Sequence, residues 1–182
     1  VGFDFLKNKK ITDKELINRI KPNHIKEVMH PSFEPAMEIK ATCITSGLPA
    51  GPGCAVGQVV FTSKDAVQWS ENKHNIILIR EETSPEDIHG MHASNAIVTS
   101  RGGMTSHAAL VARGWGKCCV VGCSDIQINI KQKEFYVNNY TIKEGDWISV
   151  NGTEGKIYLD KIDLAETNLK DNSNFKNLIE LC

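Results

Sequence analysis

Hydrophobic residues recur with two different periods along this chain. From Ile11 to Met29 the apolar positions Ile11, Leu16, Ile17, Ile20, Ile25, Val28 and Met29 follow helical spacing. Thr12 or Asp13 serves as N-cap and Pro22 interrupts the run, which predicts two short helices. His30-Pro31-Ser32-Phe33-Glu34-Pro35 holds two prolines in six residues, a pattern that disfavours helix and suits an ordered connection. Past residue 40 short apolar runs alternate with amphipathic stretches. Val56–Phe61 reads as a strand, Ser63–Ser70 as a short helix, and Asn75–Arg80 as a buried strand with polar bounds.

Helix signals follow the same alternation. Ser84-Pro85-Glu86-Asp87 combines an N-cap serine, proline at the first helical position and an acidic residue three after the cap, which starts a helix running to Ala93. Ala96–Thr99 is the next strand. Gly102-Gly103 breaks it before a helix from Thr105 to Arg113, which Gly114 is placed to stop. Cys118–Val121 reads as a strand, and Trp147–Val150 with Lys156–Leu159 as a hairpin across Asn151–Gly155. The expected class is α/β, with a helical segment over 1–40, a main domain over 41–160 and a polar linker over 161–182.

At 182 residues, with 41% hydrophobic and 24% charged, the chain has the size of one globular domain plus an appended segment. Its 21 basic and 22 acidic side chains leave a net charge of −1, with no Lys/Arg block, so nucleic acid is not an expected partner. No apolar run approaches the roughly 20 residues that cross a bilayer, and Val1-Gly2-Phe3-Asp4-Phe5 is not a signal pattern, so no membrane partner is expected. A cytoplasmic location is expected. The chain starts without Met and stops at Leu181-Cys182 in helix-compatible sequence, the texture of a piece of something longer, so an organellar location stays open.

Six cysteines, Cys43, Cys54, Cys118, Cys119, Cys123 and Cys182, are too sparse for a disulfide scaffold and read as free thiols. Cys118 and Cys119 are neighbours on a strand and point to opposite faces, so they are badly placed to share a metal. His89 and His92 lie at i, i+3 without a convincing third ligand. No metal site is expected. Gly51-Pro52-Gly53 with Gly57 precedes its strand, the wrong order for a dinucleotide loop.

The run Arg101-Gly102-Gly103-Met104-Thr105-Ser106-His107-Ala108-Ala109 carries the chemistry. A strand, two glycines, hydroxyl residues and then a helix make an anion seat, because the first-turn N–H groups have no intrahelical partners and the dipole is positive there. Gly102 and Gly103 let the backbone approach a reacting group closely, Thr105 and Ser106 can cap the helix or bond a phosphate oxygen, and Arg101 adds positive charge. His107 falls in the first turn, where the same partial positive charge opposes an imidazolium. A neutral imidazole oriented through one nitrogen can attack phosphorus with the other, and the phosphoramidate it forms has a high transfer potential. On spacing alone, His107 as a polar first-turn residue above Leu110 and Val111 is an equally open reading.

Gly102–Ala109, continued by Val111-Ala112-Arg113-Gly114-Trp115-Gly116-Lys117-Cys118-Cys119, resembles the phosphohistidine domain of the pyruvate phosphate dikinase branch of PEP-utilising enzymes. The segments Gly47–Gly53, Glu82–Asp87, Gly90–Ala93 and His30–Pro35 agree with it. Other branches with this domain, phosphoenolpyruvate synthase and enzyme I of the sugar phosphotransferase system, usually carry Arg where Met104 stands and lack Lys117-Cys118-Cys119. Gly51 departs from the branch, where many members have Ser, so a hydroxyl near the phosphate is expected to be missing.

The resemblance implies a swivelling β/β/α sandwich with helical linkers at both ends, moving between an ATP-binding domain and a pyruvate/PEP-binding barrel. His107 would be the phosphohistidine nucleophile, supported by Arg101, Gly102, Gly103, Thr105 and Ser106. The implied reaction turns ATP, phosphate and pyruvate into AMP, diphosphate and phosphoenolpyruvate, with Mg²⁺ and a monovalent cation in the flanking domains and a homodimeric full-length protein. This segment alone is expected to be inactive in the full reaction. The position of Thr105 is a regulatory phosphorylation site in plant members, and a phosphate there would repel the anion that His107 must receive. Two alternatives are the same domain of a phosphoenolpyruvate synthase and a non-enzymatic docking module. Trp115, just after the histidine's helix, is the expected contact to a partner domain.

Overall fold

An uninterrupted apolar run such as Ile76-Ile77-Leu78-Ile79 has no face to offer water, so it needs cover on both sides. The fold of residues 30–165, the part that the computed structural model describes, is built around four such runs. The helices expected between Ile11 and Met29, and the tail beyond Ala165, lie outside the described residues.

In chain order the elements begin with α1 (Pro35–Glu38), β1 (Cys43–Ser46), β2 (Leu48–Gly51), β3 (Cys54–Val60), α2 (Ser63–Glu71) and β4 (Ile76–Arg80). A 3₁₀ turn (Pro85–Asp87) leads into α3 (Ile88–Ala93), followed by β5 (Ala96–Thr99), α4 (His107–Trp115) and β6 (Cys118–Val121). The chain continues with β7 (Gln127–Asn129), β8 (Glu134–Val137), β9 (Tyr140–Lys143), β10 (Trp147–Asn151) and β11 (Lys156–Tyr158).

The main sheet has eight strands in the order β1-β11-β10-β3-β4-β5-β6-β2. Its middle, β3 to β6, is parallel, because each of α2, α3 and α4 carries the chain back to start the next strand. Period-two alternation then sorts the side chains. Ile76, Leu78, Ile97, Cys119 and Val121 point to the helices and pack with Ala66, Met91, Ala108, Ala109 and Ala112. Ile77, Ile79, Val98, Cys118 and Val120 point the other way and meet Phe135, Val137 and Ile142 of a separate sheet, β7-β8-β9. Phe61 and Phe135 lock the two sheets edge to face, with ring centroids 6.3 Å apart. The three layers are the β/β/α sandwich.

Several boundaries differ from the sequence reading. The compact unit spans Pro31–Ala165, so residues 31–40 pack with the domain that was expected to begin at 41. Phe33 is 3% exposed, lies edge-on to Tyr158 at 6.0 Å and joins Cys54, Val56 and Ile162 in a small third cluster. It also bridges to Leu164, which extends the unit beyond residue 160 and sets its first and last residues side by side. The helix expected over Thr105–Arg113 runs from His107 to Trp115 and is stopped by Gly116, not Gly114. Gly116 takes the left-handed conformation (φ 66°), and the Lys117 N–H closes back on the Ala112 carbonyl at 2.9 Å. The further turn sets the Trp115 ring edge-on to His92 at 5.3 Å.

Candidate active site

The carboxyl ends of β4 and β5 lie side by side, and their parallel ladder continues past the strands. Ser100 N–H donates to the Arg80 carbonyl at 3.0 Å and Arg101 N–H to the Glu81 carbonyl at 2.9 Å. Two connections, 81–84 and 100–106, are thereby held together above the sheet. Gly102 takes a positive φ of 95°, and Gly122 after β6 fits so closely beneath it that an added Cβ would lie 2.8 Å from the Gly102 carbonyl oxygen. Ser106 N–H bonds the Gly103 carbonyl at 2.9 Å, and Ser106 is the N-cap of α4, accepting from Ala109 N–H at 3.4 Å. His107 is therefore the first residue of α4, at the positive end of the helix.

The His107 ring is partly buried, and its Nδ1 lies 3.1 Å from the Thr83 hydroxyl. With the proton on Nδ1, the ring donates to Thr83 Oγ1 and Nε2 keeps its lone pair for an electrophile. Thr83 is itself held in place. The next residue, Ser84, donates its N–H to Asp87 Oδ2 at 3.0 Å, and this buried carboxylate pairs with Arg80 at 3.4 Å. Arg80 Nη1 reaches across to the Phe61 carbonyl at 3.2 Å, which anchors the 81–87 segment to β3.

A cavity of about 360 Å³ opens at this point. It is lined by all the residues that the sequence singled out, Arg101, Gly102, Gly103, Thr105, Ser106 and His107, so the structure brings that set together. Their roles are not uniform. The cap is Ser106; Thr105 is exposed and caps nothing. Arg101 is 70% exposed at the side chain and its guanidinium is turned to Glu81 Oε2 at 3.7 Å. Met104 is not part of the lining; its carbonyl instead accepts from the Arg113 guanidinium, which pins the loop to α4.

The sequence reading missed Glu82, Thr83 and Thr99 as lining residues. The signal was in Glu82–Asp87, read as a helix start and as a segment that carries the resemblance; that Thr83 meets His107, 24 residues on, depends on the pairing of β4 with β5. Gly51 is corrected as well. It is not among the cavity's lining residues, and a Cβ there would lie 2.0 Å from the Lys117 carbonyl oxygen. A bare backbone at this position serves the packing of β2 on β6, so the expectation of a missing hydroxyl near the phosphate does not hold.

Other polar features are structural. Lys117 donates to the carbonyls of His92, at 2.7 Å, and Ser94, so it caps the C-terminal end of α3, and burial pushes its pKa down. Burial pushes the Cys54 thiol up to about 11, those of Cys119 and Cys123 to about 12, and that of Cys118 further in the same direction. Among the described residues no three His, Cys, Asp or Glu side chains converge as metal ligands. Among those residues too, no helix is long and apolar enough to cross a membrane.

A helix-borne histidine in a glycine-walled cavity on a β/β/α sandwich defines a class, and comparison with known proteins agrees. Residues 72–155 match the family model of the PEP-utilising enzyme mobile domain, so this segment is that family's mobile domain. Its relatives there are pyruvate phosphate dikinases. The chain is 49% identical over 165 residues to the chloroplastic enzyme of Flaveria trinervia, a match covering 91% of this chain and 17% of that protein. It is 47% identical over 165 residues to pyruvate, phosphate dikinase 2 of Zea mays, covering 91% and 19%. An Enzyme I protein (nEIt) solved by NMR aligns at 25% identity over 63% of this chain and 41% of its own, with a TM-score of 0.35. The chain thus spans about a fifth or less of the length of the curated relatives it matches.

Proposed function

We propose that His107 is the phosphoryl acceptor of a pyruvate phosphate dikinase and carries the group between an ATP-binding domain and a pyruvate/PEP-binding barrel of the full-length protein. The observation that carries this reading is the 3.1 Å contact of Nδ1 to Thr83 in a histidine that starts a helix and lines the cavity, with no hydrogen-bond partner for Nε2 among the described residues. The Nε2 lone pair forms a bond to the β-phosphorus of ATP while the bond from that phosphorus to the AMP oxygen breaks with its electron pair; the terminal phosphoryl then passes to inorganic phosphate, which leaves as diphosphate, and one phosphoryl group stays on Nε2. The Nδ1 proton stays on the ring, donated to Thr83. On delivery the N–P bond breaks, its electrons return to Nε2, and the enolate oxygen of pyruvate, formed when a methyl proton passes to a base in the pyruvate-binding domain, forms the new P–O bond. Gly102, Gly103, Thr105 and Ser106 give the phosphoryl oxygens close access and donors, and Arg101 adds charge at the rim.

The overall conversion under this reading is ATP, phosphate and pyruvate to AMP, diphosphate and phosphoenolpyruvate. The segments before Pro31 and after Ala165 serve as the linkers of a swivelling domain in a homodimer. Mg²⁺ acts in the flanking domains; the described residues do not fit it, since Glu82 is the single carboxylate lining the cavity. We place the full-length protein in the cytoplasm or in an organelle of the kind named for its chloroplastic relatives.

The test uses the full-length protein and phosphoenolpyruvate labelled in its phosphoryl group. An acid-labile, base-stable phosphoenzyme is expected, and it is lost in His107→Ala. Label that survives in His107→Ala sinks the assignment. Dependence of AMP formation from ATP on inorganic phosphate, with diphosphate as product, distinguishes a dikinase from a synthase.

A further inference from the structure

Sites that hold phosphate gather cations and bidentate guanidinium groups around it. The His107 cavity does not. Besides His107 itself, the ionisable side chains lining it are Arg101 and Glu82, so one cation is set against one carboxylate. That cation is already countered from outside the cavity, because Glu81 Oε2 lies 3.7 Å from Arg101 Nη1. Glu82 is the residue directly before Thr83, whose hydroxyl holds the ring, so its carboxylate is carried on the same short segment that orients the acceptor. The backbone of that segment is held by Asp87 and Arg80, and the Glu82 side chain itself is exposed.

We infer that Glu82 is a discharging residue: its carboxylate, lining the acceptor's cavity, raises the free energy of the phosphorylated state and drives the phosphoryl group onward. This rests on the carrier reading of His107. A phosphoryl group brings close to two negative charges into the cavity. A carboxylate in the same cavity opposes that charge in the phosphorylated state and is relieved of it on transfer, so it acts on the equilibrium between the two states of His107. The histidine is thereby kept from becoming a thermodynamic sink. Glu81 acts in the same direction at one remove, by occupying Arg101.

The experiment measures the equilibrium constant for phosphorylation of His107 in the full-length protein, from labelled phosphoenolpyruvate titrated against pyruvate. Glu82→Gln is expected to raise the phosphorylated fraction, as an equilibrium constant, by about fivefold at low salt, the size expected for one charge several ångströms away in a partly solvated site. Glu82→Asp keeps the wild-type value within twofold. The Glu82→Gln effect shrinks in about 1 M salt, where the screening length falls to about 3 Å. An unchanged constant in Glu82→Gln overturns the inference, and so does a change of the same size in Glu82→Asp or at high salt, which marks a steric role. Thermal midpoints equal to wild type exclude a folding defect as the cause. If wild type and His107→Ala take up label alike, the carrier reading itself falls, an outcome separable from a labelled wild type that is insensitive to Glu82.

Discussion

Thr83→Val removes one hydroxyl and keeps the shape of the side chain, so it isolates what the 3.1 Å contact to His107 Nδ1 contributes. A neutral hydrogen bond in a partly wet site is worth about 1 kcal/mol net. Here that energy does two things at once: with Thr83 as acceptor it favours the proton on Nδ1, and it holds the ring in one orientation. Losing about 1 to 1.4 kcal/mol of this bias lowers the ratio of rings with a free Nε2 lone pair to those without one about fivefold to tenfold, and the rate by up to that factor. Water entering the open cavity can replace part of the contact, which makes about tenfold the upper expectation. Rapid-quench measurement of a single phosphorylation turnover, with labelled phosphoenolpyruvate and full-length protein, reads the rate directly. Thr83→Ser restores the hydroxyl and is expected to recover most of it. A Thr83→Val rate indistinguishable from wild type, at an unchanged thermal midpoint, refutes the orienting role. A loss beyond about a hundredfold refutes it differently, since only direct contact with the transferring group would account for so much.

Three further outcomes concern stability. Gly90→Ala places a Cβ 2.5 Å from Ser63 Cα and Oγ, where α3 meets α2; overpacking of this kind costs about 1 to 3 kcal/mol against about 1 kcal/mol regained in helix propensity, so the urea midpoint falls or at best holds. A midpoint clearly raised shows that the helices are less close than described. Phe33→Ala empties the third cluster of a residue 3% exposed and costs about 3 to 5 kcal/mol, whereas a loss under about 1 kcal/mol in equilibrium unfolding shows that residues 31–40 are not part of the domain. Four thiols, those of Cys54, Cys118, Cys119 and Cys123, are raised in the folded state by burial above the ordinary value of 9.0. The unfolded chain loses these protons first, so the stability they contribute is intact below pH 9 and lost as pH rises toward about 12; each thiol costs about 1 kcal/mol between pH 9 and 10. Denaturant titrations flat from pH 8 to 10.5 contradict such burial.

Local chemistry was enough to read much of the fold. Ile76–Arg80, Ala96–Thr99 and Cys118–Val121 were legible as strands because each is a short apolar run with polar bounds, buried on both faces. The turn before α3 was legible because Ser84 and Asp87 close it within four residues. The opposite facing of Cys118 and Cys119 follows from strand geometry alone, and the structure divides them between its two main clusters.

The strands β1 and β2, and the whole β7-β8-β9 sheet, were not legible. Leu48-Pro49-Ala50-Gly51 and Gln127-Ile128-Asn129 have little apolar alternation of their own and become strands because β6 and β8 supply their hydrogen-bond partners. The motif around His107 belongs to the sequence: glycines, hydroxyls, helix start and histidine lie within eight residues, and their type suffices to suggest phosphoryl chemistry. What the tertiary structure decided is which nitrogen has a partner and what else lines the cavity. Thr83, Glu82 and Thr99 come to the histidine's cavity because β4 and β5 pair in parallel and end at the same level. Gly116 and not Gly114 ends the helix because the chain must turn there into β6, beneath Lys117 and its hold on α3. A sequence records which residues can do chemistry; the register between strands, set by burial summed over the whole sheet, decides which of them meet.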